Sequence, residues 1–168
     1  MVRVVEQRRE ATDDEAKALA SALRLRILRV CLSEPQTNKE IATTLGRDPA
    51  TMLHHVRLLT RTGFLEAQPA RRGARGAKEI PYLATRKSWT ISTPATGQVL
   101  LKTFLEEAAL VPAEELDTAR LGLKLTDENW ERFRDRMSAL LDEFAQLPED
   151  PDGRPWSVFL ALHPDPNR

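Results

Sequence analysis

Cysteine is almost missing from this chain. Cys31 is the one thiol in 168 residues, so no intramolecular disulfide can form and no cysteine-rich zinc site can be assembled. Of three histidines, His54 and His55 are neighbours; on a helix they point about 100° apart and cannot share a metal ion. No metal and no cofactor is therefore expected. Long apolar runs are absent too: nothing approaches the ~18 uncharged residues of a membrane span, and MVRVVEQRREATDDEAK has no apolar signal core. No membrane partner and a cytoplasmic location follow as expectations. The signatures HExxH, GxSxG, GxGxxG and the P-loop do not occur, and the paired acids Glu106/Glu107 and Glu114/Glu115 read as solvated charge, which argues against an enzyme.

Net charge is absent as well, but only in total. Residues 1–90 hold 17 Lys or Arg against 10 Asp or Glu, and residues 91–168 hold 8 against 15. The first half carries an excess of seven positive charges and the second an equal negative excess, which points to an anionic partner for the first. What is present in that half is a succession of helix signals. Thr12 with Glu15, and Thr37 with Glu40, have capping-box spacing. The first opens a helix that runs to about Ala22. Leu25, Leu28, Cys31 and Leu32 share the inward face of a second helix, which Pro35 ends, and Ile41, Ala42 and Leu45 share that of a short third, closed by Gly46.

Asp48 as N-cap and Pro49 as first helical residue restart the chain into a helix over 49–62, ended by Gly63. Met52, Val56 and Leu59 fall on one face, while Ala50, His54, Arg57 and Arg61 fall on the opposite one. Two short helices joined by a tight turn make a helix-turn-helix, whose second helix can enter the major groove of duplex DNA. FLEAQP and AKEIPYLAT then predict two short strands around ARRGARG, a hairpin with a cationic tip, Pro69 and Pro81 suiting sheet edges. In this reading Ala50, Thr51, Leu53, His54 and Arg57 reach base edges. Thr37, Asn38, Arg61, Arg71, Arg72, Arg75 and Lys78 meet the backbone, which supplies affinity without sequence information. His55 lies nearer the inward face, where a partly buried role competes with base contact.

The run NKEIATTLGRDPATMLHHVRLLTRTGFLEAQPARRGARGAKEIPYLAT resembles the winged helix-turn-helix of ArsR-like bacterial transcriptional regulators, in its His-His pair, the Leu-Leu that follows and the Arg/Gly wing. The likeness covers roughly residues 12–86. It implies dimeric binding to a near-palindromic operator, usually as a repressor released by an effector. Metal-sensing members carry a thiolate pair in the first helix of the motif, or an Asp/His set in the dimerisation helix. KEIATTLG and GQVLLKTFLEEAALV hold neither.

RKSWTISTPATG is aperiodic and marks a boundary between a DNA-binding domain over 1–90 and a second domain over 91–168. In the helix expected over 98–111, Leu100, Leu101, Phe104, Leu105 and Ala108 belong to an apolar surface wider than one stripe, suited to burial on two sides, and the resemblance implies dimerisation there. Beyond it, Ala119, Leu121, Leu123 and Leu125 alternate, as do Trp156, Val158, Leu160 and Leu162. Between them a helix capped by Thr126 carries Trp130, Phe133, Met137, Leu140, Phe144 and Leu147. A strand-helix-strand unit is expected there, its aromatic residues serving as core or lining a pocket for a small-molecule effector. The fold class is thus mainly α with small β elements, and the function a sequence-specific, homodimeric DNA-binding repressor. The alternative is a winged-helix module that binds protein.

Overall fold

The computed structural model describes residues 9–73, 76–92, 96–148, 150 and 152–166, which divide into two compact units on either side of Leu105 and Glu106. In the first unit a two-residue strand, β1 (Arg9–Glu10), precedes α1 (Asp13–Leu19) and α2 (Ala22–Val30). Both predicted capping boxes form: the Thr12 and Thr37 side chains accept from the N–H groups of Glu15 and Glu40, whose carboxylates take the N–H of the threonine in return. β2 (Gln36–Thr37) leads into α3 (Asn38–Thr44), and α4 (Pro49–Arg61) starts where Asp48 accepts from the Thr51 N–H at 2.9 Å. Gly46 and Gly63, which end α3 and α4, take positive φ of 60° and 75°, conformations a side chain would strain.

After α4 the chain forms β3 (Leu65–Ala67), β4 (Arg71–Arg72), β5 (Lys78–Glu79) and β6 (Pro81–Ala84). β4 and β5 pair as a narrow antiparallel ribbon, Arg71 opposite Glu79 and Arg72 opposite Lys78, at the outer end of the hairpin. β6 lies between β2 and β3 in a three-stranded antiparallel sheet. This corrects the edge position expected for Pro81. The proline is the first residue of a central strand, where its missing N–H breaks no continuing ladder, and its carbonyl still accepts from Gln68 N at 2.8 Å. β7 (Ile91–Ser92) pairs in parallel with β1, a junction with too few residues to show any periodicity.

The core is built largely from the faces that the helical spacings predicted, joined by Ala18, Leu19 and Ile27, while Leu32 of the predicted set is only half-buried. Met52, Val56 and Leu59 are completely buried, and Leu25, Leu28, Cys31, Ile41 and Ala42 pack with them, Phe64 and Leu65 sealing the end of α4. Cys31 lies wholly inside this cluster, and burial pushes its thiol up to about 12. It is a small core side chain with no reactive thiolate.

α5 (Thr96–Ala108) begins in the first unit, where Val99 packs on the core and the Thr103 hydroxyl donates to the Val99 carbonyl at 2.8 Å. In the second unit α6 (Asp127–Ala145) forms with the predicted Thr126 cap, Trp130 stacked on Phe133. The flanking strands do not form: residues 116–126 and 153–165 run without regular structure, a correction to the strand-helix-strand expectation. Two strands without a third, or without a covered apolar face, are too weak to hold a ladder. Leu121, Trp156 and Val158 are each about three-quarters exposed. On α6, Leu140 and Phe144 are exposed, as is Leu147 just beyond its end, against the expected continuous apolar seam, while Ser138 and Asp142 are buried.

Truncating the centre of the first core tests its account. Leu59→Ala is expected to lower the stability of the winged unit by about 2–5 kcal/mol, read as a shift in the urea unfolding midpoint at unchanged slope.

Candidate nucleic-acid interface

Full burial of Met52, Val56 and Leu59 dictates what α4 shows outward. Ala50, Thr51, His54, Arg57 and Arg61 are exposed and Leu53 is half-buried, as the 100° rotation per residue requires once the inner stripe is fixed. Among the described residues no ion pair engages Arg57 or Arg61. The Thr51 hydroxyl leans on the Asp48 cap, 3.3 Å from its carboxylate. Arg72 and Lys78 are exposed on opposite strands of the ribbon, directly paired in register. Arg75 lies outside the described residues.

Three of the predicted backbone contacts have partners inside the protein. Thr37 is buried and its hydroxyl serves the α3 cap. The Asn38 amide donates to the Pro49 carbonyl at 2.8 Å, joining the starts of the two helices of the motif, and its oxygen is enclosed without a partner. Arg71 donates from Nη2 to both carboxylate oxygens of Glu40, at 2.5 and 2.7 Å, tying β4 to the first turn of α3. Glu40 is held below the ordinary carboxylate range, first by the Thr37 N–H and also by Arg71. Helical spacing could not show this pair, since its members are 31 residues apart. Beside it an open polar depression of about 400 Å³ is lined by Lys39, Thr43, Thr44, Glu40 and Glu79.

His55 is half-buried, and its Nδ1 stands 3.5 Å from Arg24 Nη1. The Arg24 guanidinium itself donates to the Ala18 and Lys17 carbonyls at the end of α1. Burial first, then the charges of Arg24 and His54, lowers the imidazole below its ordinary value. The neutral ring with Nδ1 as acceptor suits this neighbourhood.

The five predicted dimerisation residues lie within α5. Leu100, Leu101 and Leu105 are exposed, Leu105 by more than half, while Phe104 and Ala108 are half-buried.

Residues 19–68 match the family described as a helix-turn-helix domain. The chain is similar to reduced HlyU from Vibrio cholerae, with 23% identity over 55% of this chain and 84% of that one, at a TM-score of 0.35. It is similar to an ArsR-like transcriptional regulator from Rhodococcus, with 20% identity over 79% of this chain and 90% of that one, at 0.36. A homodimeric winged helix-turn-helix DNA-binding domain from Mycobacterium bovis is 22% identical over 62% of this chain and 83% of that one, also at 0.36. No curated protein matches. A helix-turn-helix followed directly by a β-ribbon wing defines the winged helix-turn-helix fold. Among the described residues no helix is long and apolar enough to cross a membrane.

The position of His55 sets a pH dependence. Its folded value lies below the ordinary 6.5, so the unfolded chain takes up this proton first. Stability is complete above about pH 6.5 and declines as pH falls below it. His55→Gln is expected to flatten that decline, measured by thermal unfolding at a series of pH values.

Proposed function

We propose that this chain is a homodimeric repressor that reads a roughly two-fold-symmetric site on duplex DNA. The observation that carries the reading is the outward face of α4, where Ala50, His54 and Arg57 stand exposed opposite a fully buried stripe. A small residue permits close approach, Arg57 has the paired donors that match guanine, and Leu53 offers an apolar edge to a thymine methyl. Thr51 completes the base-reading set. Arg61, Arg72, Arg75 and Lys78 supply phosphate contacts, Arg61 from the end of α4 and the other three from the wing. Thr37, Asn38 and Arg71, each with a partner in the protein, border the same backbone and orient α3, α4 and the wing toward it.

In this reading residues 1–90 bind DNA and residues 91–168 serve the dimer, beginning with Leu100, Leu101, Phe104, Leu105 and Ala108 of α5. The exposure of the three leucines supports a second protomer there, since a surface of large apolar side chains gains from being covered. A small-molecule effector belongs to the same reading. It would raise thermal stability and lower DNA affinity together.

The test is fluorescence anisotropy of the purified chain with duplex DNA from upstream of its own gene, beside a scrambled duplex, at several salt concentrations. Preference for the upstream duplex with affinity falling steeply in salt is the expected result. No binding even at low salt would turn the assignment to a protein-binding module. Arg57→Ala is expected to cost about 1–3 kcal/mol on the preferred duplex and to relax the preference. Arg72→Ala should weaken both duplexes alike and reduce the salt slope by about one. Equal losses on both duplexes for Arg57→Ala would contradict this division.

A further inference from the structure

One charged cluster in the winged unit lies off the exposed face of α4. Glu15, the third residue of α1, is buried, and its carboxylate collects donors from three directions. The Thr12 N–H reaches Oε2 at 2.9 Å, completing the capping box. Arg9, on β1, donates to both oxygens at 2.8 and 2.6 Å. Lys87 Nζ lies 2.8 Å from Oε1. The same ammonium donates to the carbonyl of Thr62 at 2.7 Å, and Thr62 is the C-cap of α4. It also stands over the Phe64 ring, 5.2 Å from the centroid.

Each partner of Lys87 is an electrostatic end point. The last carbonyls of α4 have no helical N–H to accept, and they form the negative end of its dipole. Glu15 is a carboxylate with little solvent around it, so a charged donor counts for more there than on the surface. One cation serves both. The lysine reaches Thr62 by passing Gly63, where an added Cβ would stand 3.3 Å from Nζ. Its own backbone is fixed just after Arg86, a non-glycine residue with a φ of 60°, in the short turn Lys87–Trp89 that feeds β7.

We infer that Lys87 is a positioning residue for DNA recognition: its ammonium ties the C-terminal end of α4 to the capping box of α1 and so sets the angle at which α4 meets the groove. The proposal rests on α4 being the duplex-reading helix. Base-edge contacts need their donors placed to a fraction of an ångström, whereas phosphate contacts tolerate more, so loosening one end of α4 costs discrimination before it costs affinity. Removing the tether leaves the outward side chains of α4 unchanged.

The test uses the full chain and three variants. Lys87→Met keeps the stem and removes the donors, Lys87→Arg keeps the charge, and Glu15→Gln keeps the shape of the carboxylate while weakening it. In amide hydrogen exchange, Lys87→Met should accelerate Thr62, Gly63 and Ala16 by about tenfold or more relative to amides of α3, with Lys87→Arg restoring most of the protection. Uniform acceleration, or none, would overturn the tether. In anisotropy, Lys87→Met should reduce the preference for the upstream duplex about tenfold or more while leaving the salt slope unchanged. Equal weakening on both duplexes with a slope lower by about one would make Lys87 a simple phosphate contact and overturn the proposal. Should Lys87→Met fail to fold, Glu15→Gln carries the same two comparisons. If the wild-type chain shows no preference, the regulator reading fails by that result, and the exchange pattern alone decides the tether.

Discussion

Burial of Met52, Val56 and Leu59 against α2 and α3 is the constraint on which the winged unit depends. Each of these side chains, fully withdrawn from water, contributes about 1.5–3 kcal/mol, and together they fix the rotation of α4 about its own axis. Rotation by one residue, about 100°, would bring Arg57 or His55 into the core and expel a methionine or a valine. The outward display of Ala50, His54 and Arg57 is therefore a consequence of packing. Phe64 and Leu65 extend the same core across Gly63, which is why the hairpin starts where it does.

Electrostatics then sets the angles that packing leaves soft. Asn38 closes the junction between the starts of α3 and α4, Lys87 and Glu15 close the far end of α4, and Arg71 with Glu40 fastens the ribbon to α3. These ties differ in strength. Glu15 is buried and receives four N–H bonds, so its ion pairs lie in a poorly screened environment that holds the carboxyl well below the usual range. By linkage its contribution is complete above the ordinary carboxylate range and is lost progressively as pH falls from that range toward the much lower folded value. Arg71 and Glu40 are each nearly half exposed, and salt weakens such a pair. The wing is accordingly the part of the winged unit most free to shift, and the end of α4 the least.

The second unit contrasts with this economy. α6 is well capped, yet the residues that alternation assigned to strands remain exposed, from Leu121 to Val158. Alternation reports which side chains could share a face. It does not supply the neighbouring strand that would make the face worth burying. The reading of these residues as part of a dimer is consistent with their exposure, since a second protomer would provide area that one chain lacks.

Local rules made much of the winged unit legible before any coordinates. Capping boxes at Thr12 and Thr37, the Asp48-Pro49 start and the glycines at 46 and 63 act within one turn of backbone, and a spacing of three and four residues identifies a buried stripe wherever the helix lies. The hairpin and its cationic tip follow from equally short signals. What required the tertiary structure were the meetings of residues far apart in the chain: Arg71 with Glu40, Lys87 with Glu15 and Thr62, β1 beside β7, and β6 at the centre of its sheet in spite of Pro81. A sequence displays the chemistry of each such residue but not its partner, because the partner is chosen by the packing of whole elements. For this chain the residues themselves determined which face of α4 is turned outward, and the fold decided which charges stand free beside it and which are already committed to holding it in place.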